Sequence, residues 1–285
     1  MKSAYLSCEG RELHYTEWGS QHREAVIAWH GLARTGRDMD DIAAHLAQRY
    51  RVICPDTIGR GLSQWSPAPE KEYCLAFYGS LAVSLADQLR LETLHWLGTS
   101  MGGAIGLRLA AGAMKGRIRR LVLNDIGPQL GDAAVARIRA YAGKPPAFAT
   151  MSELEAYFRT VYKPYGWLSD EQWRRLAETS ARRLPDGRLA PHYDPKMVLQ
   201  FEQHPADYDQ WDAYDAIVAP TLCLRGESSD LLLPETAEEM RARGPRAVVV
   251  TIEGCGHAPA LNVPEQLDLV RGFIDQAEQG LRAAR

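Results

Sequence analysis

Short apolar runs alternate with helix-patterned stretches along this chain, and that rhythm limits the folds open to it. Ala25-Val26-Ile27-Ala28-Trp29 stops at His30-Gly31, and Val52-Ile53-Cys54 stops at Pro55-Asp56. Leu94-His95-Trp96-Leu97 runs into Gly98, and Leu121-Val122-Leu123 ends at Asn124-Asp125. Runs this short and this uniformly apolar read as strands buried on both faces. Helical spacing covers 38–46, 75–89 and 104–113 between them. Strands separated by helices need crossover connections, which gives an α/β fold: a parallel sheet with helices on both faces. A hairpin precedes them, with strands at 5–8 and 13–18 around the turn signal Glu9-Gly10.

The alternation fails from Gln129 to Asp212. This stretch carries helix patterns, no convincing strand, and half of the aromatic residues of the chain. Its charges nearly balance. The rhythm resumes with Thr221-Leu222-Cys223-Leu224, a helix at 235–243, a strand at 247–252 and a helix at 264–276 that has Pro264 in its first turn. The expected organisation is an α/β core of residues 1–128 and 213–285, with a helical cap, 129–212, laid over the sheet.

A chain of 285 residues needs no stapling to build a core. With 33 basic and 36 acidic residues its net charge is −3, which gives no electrostatic reason to expect nucleic acid or an anionic membrane as a partner. The five cysteines, Cys8, Cys54, Cys74, Cys223 and Cys255, are scattered and form no CxxC pair, which argues against a disulfide framework or zinc site. No run approaches the length of a transmembrane helix, and Met1-Lys2-Ser3-Ala4-Tyr5 has no signal-peptide character. The expected compartment is the cytoplasm.

Chemistry concentrates at Gly98-Thr99-Ser100-Met101-Gly102, a G-x-S-x-G pattern between a strand and a helix. The turn there is sharp enough to strain the serine backbone, and glycines on either side let neighbouring backbones pass closely. The helix N-terminus favours an anion forming at Ser100. The alternative is a plain strand–helix turn with serine as N-cap. A serine hydroxyl needs a base to become a nucleophile. Of the histidines after Ser100, His192 and His204 fall in the insertion, and His257 follows the last strand. His257 is the expected base. Asp230, on the loop after the Thr221–Leu224 run, is the first candidate for the acid that orients it; Asp125 is the second and Glu227 the third. The Met101 and Leu32 N–H groups are the expected oxyanion donors. His30 is expected to brace the Gly31-Leu32 loop and to take no catalytic part.

These residues resemble the α/β-hydrolase family, in the serine-nucleophile branch with a helical cap. The resemblance rests on His30-Gly31, on Asp56-Thr57-Ile58-Gly59-Arg60-Gly61-Leu62-Ser63, on the 98–102 elbow, and on Asp230 and His257. It implies a mostly parallel, doubly wound sheet of about eight strands with a cap after the sixth, a Ser100–Asp230–His257 triad, no metal or organic cofactor, and a small-molecule substrate. The 56–63 stretch is carried over as a structural turn. Small carboxylesterases and meta-cleavage product hydrolases are the subgroups it most resembles. The chemistry expected is hydrolysis of a small, apolar carboxylic ester through an acyl-enzyme, with Tyr165 and Trp167 of the insertion in the substrate pocket. Tyr157, Phe158, Tyr162 and Trp173 are further candidates, though most such aromatics are expected to form the cap's own core. Carbon–carbon, lactone or thioester hydrolysis by the same triad stays open, as does a ligand receptor on this fold with little turnover.

Overall fold

Every apolar run named above becomes a strand in the computed structural model, which describes residues 1–282. The strands are β1 (Lys2–Cys8), β2 (Arg11–Trp18), β3 (Ala25–Trp29), β4 (Arg51–Pro55), β5 (Leu94–Thr99) and β6 (Ile118–Asn124). Then follow a small hairpin, β7 (Ala181–Arg183) with β8 (Leu189–Pro191), and finally β9 (Thr221–Gly226) and β10 (Val248–Ile252). Eight of them form one sheet in the order β1-β2-β4-β3-β5-β6-β9-β10. β1 pairs antiparallel with β2, and β2 antiparallel with β4; every later pair is parallel.

The central strands are apolar throughout because both faces are covered. Ile27, Trp29, Trp96, Leu121, Leu123 and Cys223 face one layer, with the helices Leu75–Gln88 and Met101–Ala111. Val26, Ala28, Leu97, Val122, Leu222 and Leu224 face the other, with the helices Asp40–Leu46 and Pro264–Arg282. Each Val, Leu or Ile among them moved out of water contributes roughly 1.5–3 kcal/mol, so the strands define both layers at once. All five cysteines are buried and unpaired, consistent with their apolar surroundings. Among the described residues, no helix is long and apolar enough to cross a membrane.

The segment between β6 and β9 holds the helices Asp132–Ala142, Met151–Val161 and Asp170–Thr179. It also contains the β7–β8 hairpin, where only helix was expected. Its strands are three residues long, too short for an alternating pattern to register in the sequence. Leu154, Phe158, Tyr162, Trp173, Leu176, Ala177 and Leu189 give this segment a small core of its own. Two backbone bonds tie it to the 56–63 turn: Gly61 N–H donates to His192 O at 2.9 Å and Asp194 N–H donates to Gly59 O at 2.7 Å.

That turn is held by one carboxylate. Asp56 accepts from Gly36 N–H at 2.6 Å, His14 Nδ1 at 2.7 Å and Leu62 N–H at 2.9 Å. Burial by itself would raise its pKa, but the bond from His14 and the neighbouring charges hold it below the usual carboxylate value. At the other side of the sheet edge, the strand-to-helix turn at Ser100 depends on contact between bare backbones. A Cβ on Gly98 would overlap the backbone of Gly102 and Gly103, and one on Gly102 would overlap the Trp29 carbonyl. The parts that would have to yield are main chain in two strands and a helix. Gly102→Ala should therefore lower the free energy of urea unfolding by roughly 1–3 kcal/mol or more; a variant with the parent's denaturation midpoint would show that the close approach is absent.

Candidate active site

The elbow holds Ser100 at φ 52°, ψ −119°, a region that a residue with a side chain enters only when its surroundings impose it. The turn lifts the hydroxyl off the sheet edge at the start of the helix Met101–Ala111. His257 Nε2 lies 2.9 Å from Ser100 Oγ, and His257 Nδ1 lies 2.7 Å from Asp125 Oδ2. With Nδ1–H donating to the carboxylate, Nε2 keeps its lone pair and accepts the serine O–H. The imidazole is mostly buried, and the Asp125 side chain is wholly so.

The acid on His257 is thus Asp125, and the expectation for Asp230 is corrected. Sheet order supplies the reason. β6 and β9 both lie between β5, which carries Ser100, and β10, which precedes His257. The His257 loop must fold back across the end of β9 to reach the serine, and it does so in contact: a Cβ on Gly226 would overlap the Gly256 carbonyl. Asn124 Nδ2 then donates to Pro259 O at 2.8 Å, which fixes the loop over the end of β6. The imidazole lands above β6, where Asp125 sits with φ 54°. Asp230 turns the other way, half exposed, and pairs with Arg137 at 2.8 Å.

The loop after β9 still serves the acid, through other atoms. Gly226 N–H donates to Asp125 Oδ1 at 2.8 Å, and Ser229 Oγ–H donates to Oδ2 at 2.6 Å. The Leu231 and Leu232 N–H groups reach Ser229 Oγ at 3.3 and 3.2 Å and fold the loop inward at Ser229, so that the next residue, Asp230, points out. Glu227 accepts from Gly254 N–H at 3.1 Å and steadies the far end of the His257 loop. Ser229 and Gly226 were not foreseen as part of the site; no spacing in the sequence marks them.

Gly31 brings the loop after β3 against the nucleophile. A Cβ there would sit 3.6 Å from Ser100 Cβ and 3.9 Å from Arg34 Cγ. Among the described residues, neither the Leu32 nor the Met101 N–H donates to a protein acceptor. Arg60, fully buried, braces both residues: Nε donates to Leu32 O at 2.9 Å, and Nη2 lies 3.6 Å from Met101 Sδ. His30 is fully buried; its Nε2 accepts Thr57 N–H at 2.9 Å, and its Nδ1–H donates to Gly31 O at 2.6 Å. It is a brace, as its place beside the glycine suggested.

The cavity at Ser100 and His257 is lined by Leu32, Ile138 and Val161, but also by Arg34, Arg137, Thr99, Tyr141, Tyr162 and Tyr165. Of the two insertion residues expected there, Tyr165 is present. Trp167 is 69% exposed and lines neither this cavity nor the one adjoining it. It follows Gly166, where the chain turns outward at φ 92°. Arg34, Arg137 and Tyr141 were not singled out from the sequence, because polar residues at the wall of a buried site look like any others until the chain folds.

Residues 26–268 match the alpha/beta hydrolase family. The chain is 41% identical over 273 residues to the 3-hydroxybutyrate-oligomer hydrolase of Cupriavidus necator, covering 92% of each. It is 28% identical over 251 residues to the 2-hydroxymuconate semialdehyde hydrolase of a Pseudomonas species, covering 83% of this chain and 81% of that one. Among solved structures it is similar to an alpha/beta hydrolase from Novosphingobium aromaticivorans, with a TM-score of 0.85 at 33% identity over 96% of this chain and 98% of that one.

Two outcomes check the geometry. Asp125→Asn should lower kcat for an ester by about 10⁴-fold, since the imidazole loses its tautomer and its counter-charge, whereas Asp230→Asn should stay within tenfold of the parent; the reverse ranking would return the role to Asp230. The second concerns pH. Burial lowers the pKa of His30 from 6.5 to about 4, so its neutral form is favoured in the fold. The folded value lies below the unfolded one, so this stability is fully present above about pH 6.5 and is lost as pH falls toward 4. The loss is on the order of 3 kcal/mol. His30→Gln should flatten that part of the stability–pH curve in urea titrations, and an unchanged slope would assign the loss to other groups.

Proposed function

The chain belongs to the alpha/beta hydrolase family and is a hydrolase, and from that premise we propose that it is a serine esterase that cleaves short oligoesters of a hydroxy acid. The unbroken chain of hydrogen bonds from Ser100 Oγ through His257 to the buried Asp125 carries this reading. In it, His257 Nε2 takes the serine proton as Oγ attacks the ester carbonyl. The oxyanion forms where the Leu32 and Met101 N–H groups and the helix N-terminus meet. His257 returns the proton to the departing alcohol and leaves an acyl group on Ser100. Water, deprotonated by the same imidazole, then releases the acid. Asp125 holds the imidazole in this tautomer and offsets the charge that forms on it.

The likeness to the 3-hydroxybutyrate-oligomer hydrolase supports an oligoester as substrate. The polar part of the wall also supports it, since Arg34, Arg137 and three tyrosines line the cavity among its apolar residues and suit a substrate with polar groups of its own. In this reading residues 129–212 act as a cap that shapes the pocket and leaves the chemistry to the core. The test is hydrolysis of the 3-hydroxybutyrate dimer and of p-nitrophenyl butyrate by the parent and by Ser100→Ala. Both substrates should be turned over, and kcat should fall by roughly 10⁴-fold or more in the variant. Turnover of p-nitrophenyl butyrate without turnover of the dimer would discard the oligoester; activity within tenfold after Ser100→Ala would discard the serine mechanism.

A further inference from the structure

Arg34 is 3% exposed, and two of its three nitrogens are engaged. Nε and Nη2 donate to Asp38 at 2.6 and 2.7 Å, and Nη2 also donates to Ser180 Oγ at 2.9 Å. Nη1 is buried and has no hydrogen-bond acceptor. The rings of Phe158 and Tyr162 lie 5.3 and 4.5 Å from Cζ. They stabilise the cation through their faces. Burial opposes the charge on Arg34, yet Asp38 and the neighbouring tyrosines hold its pKa well above the ordinary arginine value, so it is a cation throughout. A buried guanidinium nitrogen without an acceptor is costly unless a ligand completes it.

Its position is next to the chemistry. Only Gly31 separates the stem of Arg34 from Ser100. Arg34 lines the cavity at Ser100 and also an adjoining cavity that holds Arg37, Arg175, Gln172 and Asn262 together with Asp38 and Asp41. Among the described residues no carboxylate lines the Ser100 cavity itself, while Asp38 and Asp230 pair with its two arginines. A guanidinium nitrogen without an acceptor suits a carboxylate oxygen better than any neutral acceptor. An oligoester of a hydroxy acid carries one free carboxylate, at its acid end, a few bonds from the last ester carbonyl.

We propose that Arg34 Nη1 binds this terminal carboxylate and thereby selects the ester bond nearest the acid end; this rests on the oligoester reading above. Asp38 and Ser180 then act as holders that fix the guanidinium plane, and the aromatic pair beneath it keeps water from competing. A neutral ester of the same shape would leave Nη1 with a weaker acceptor and lose the charge-assisted bond.

The test uses p-nitrophenyl butyrate as reporter, with the 3-hydroxybutyrate dimer and its methyl ester as competitors. Competition reads binding whether or not the dimer is cleaved. In the parent the free acid should compete at least tenfold more strongly than the methyl ester. In Arg34→Met the two should compete within about twofold of each other, and Arg34→Lys should fall between, with folding of each variant checked by circular dichroism. Equal competition in the parent, or none by either compound, overturns the proposal without any variant being needed. A preference for the acid that survives in Arg34→Met and Arg34→Lys overturns it as well, by placing the carboxylate on another cation. Strong competition by the acid with no cleavage of it would leave the carboxylate site standing and discard the oligoester hydrolysis.

Discussion

Three backbones meet at one point beneath the nucleophile: the end of β5, the start of the helix that follows it, and the end of β3. Gly98 and Gly102 carry no Cβ because main chain already occupies that space. This contact has two consequences for the site. It forces Ser100 into a conformation that the chain would not adopt alone, and it brings the Leu32 loop alongside. Strain of this kind costs on the order of 1–3 kcal/mol and persists only because the surrounding sheet over-determines it. The proposed oxyanion donors and the nucleophile are therefore placed by one packing event. Loosening it would displace all three together, which is why so small a residue as glycine recurs around the serine.

The second organising element is a fully buried carboxylate. Asp125 accepts from Gly226 N–H, Ser229 Oγ and His257 Nδ1. A charge in that position is tolerable only with such partners, since isolated burial costs far more than the fold has to spend. Those partners come from the loops after β9 and β10, so the sheet edge is tied across three strands. Asp56 plays a comparable part elsewhere on the edge, holding the 56–63 turn on which the insertion rests. Two acids thus organise the loops, one under the imidazole and one under the contact with the segment between β6 and β9.

The insertion contributes in a different way. Most of its aromatic residues pack on one another, which makes it a body with its own core. What it presents to the pocket is chiefly Tyr141, Tyr162, Tyr165 and Arg137, which face Arg34 and Ser100 from the core. The pocket is therefore amphipathic, with hydroxyls and cations set among apolar walls.

Much of this was legible in the residues themselves. Uniform apolar runs must be buried on both faces, so the strands and their parallel arrangement follow from hydrophobicity alone. The G-x-S-x-G turn names its own context, and His257 was the one histidine after Ser100 that lay beyond the insertion and past a strand. The partner of His257 was not legible. Asp125 and Asp230 both follow buried strands, and local pattern carries no information on which strand lies under the returning loop. That is decided by the spatial order β5-β6-β9-β10 and by the passage of Gly256 over Gly226. The same holds for Trp167, an aromatic in an aromatic-rich stretch that a turn at Gly166 directs into solvent, and for Arg34, whose free nitrogen exists only once Asp38 and Ser180 have taken the others. Sequence determined which segments are buried and which turn must be strained, because those depend on a few consecutive residues. Tertiary structure decided which side chains share a hydrogen bond across more than a hundred residues, because that depends on where the sheet sets its strands.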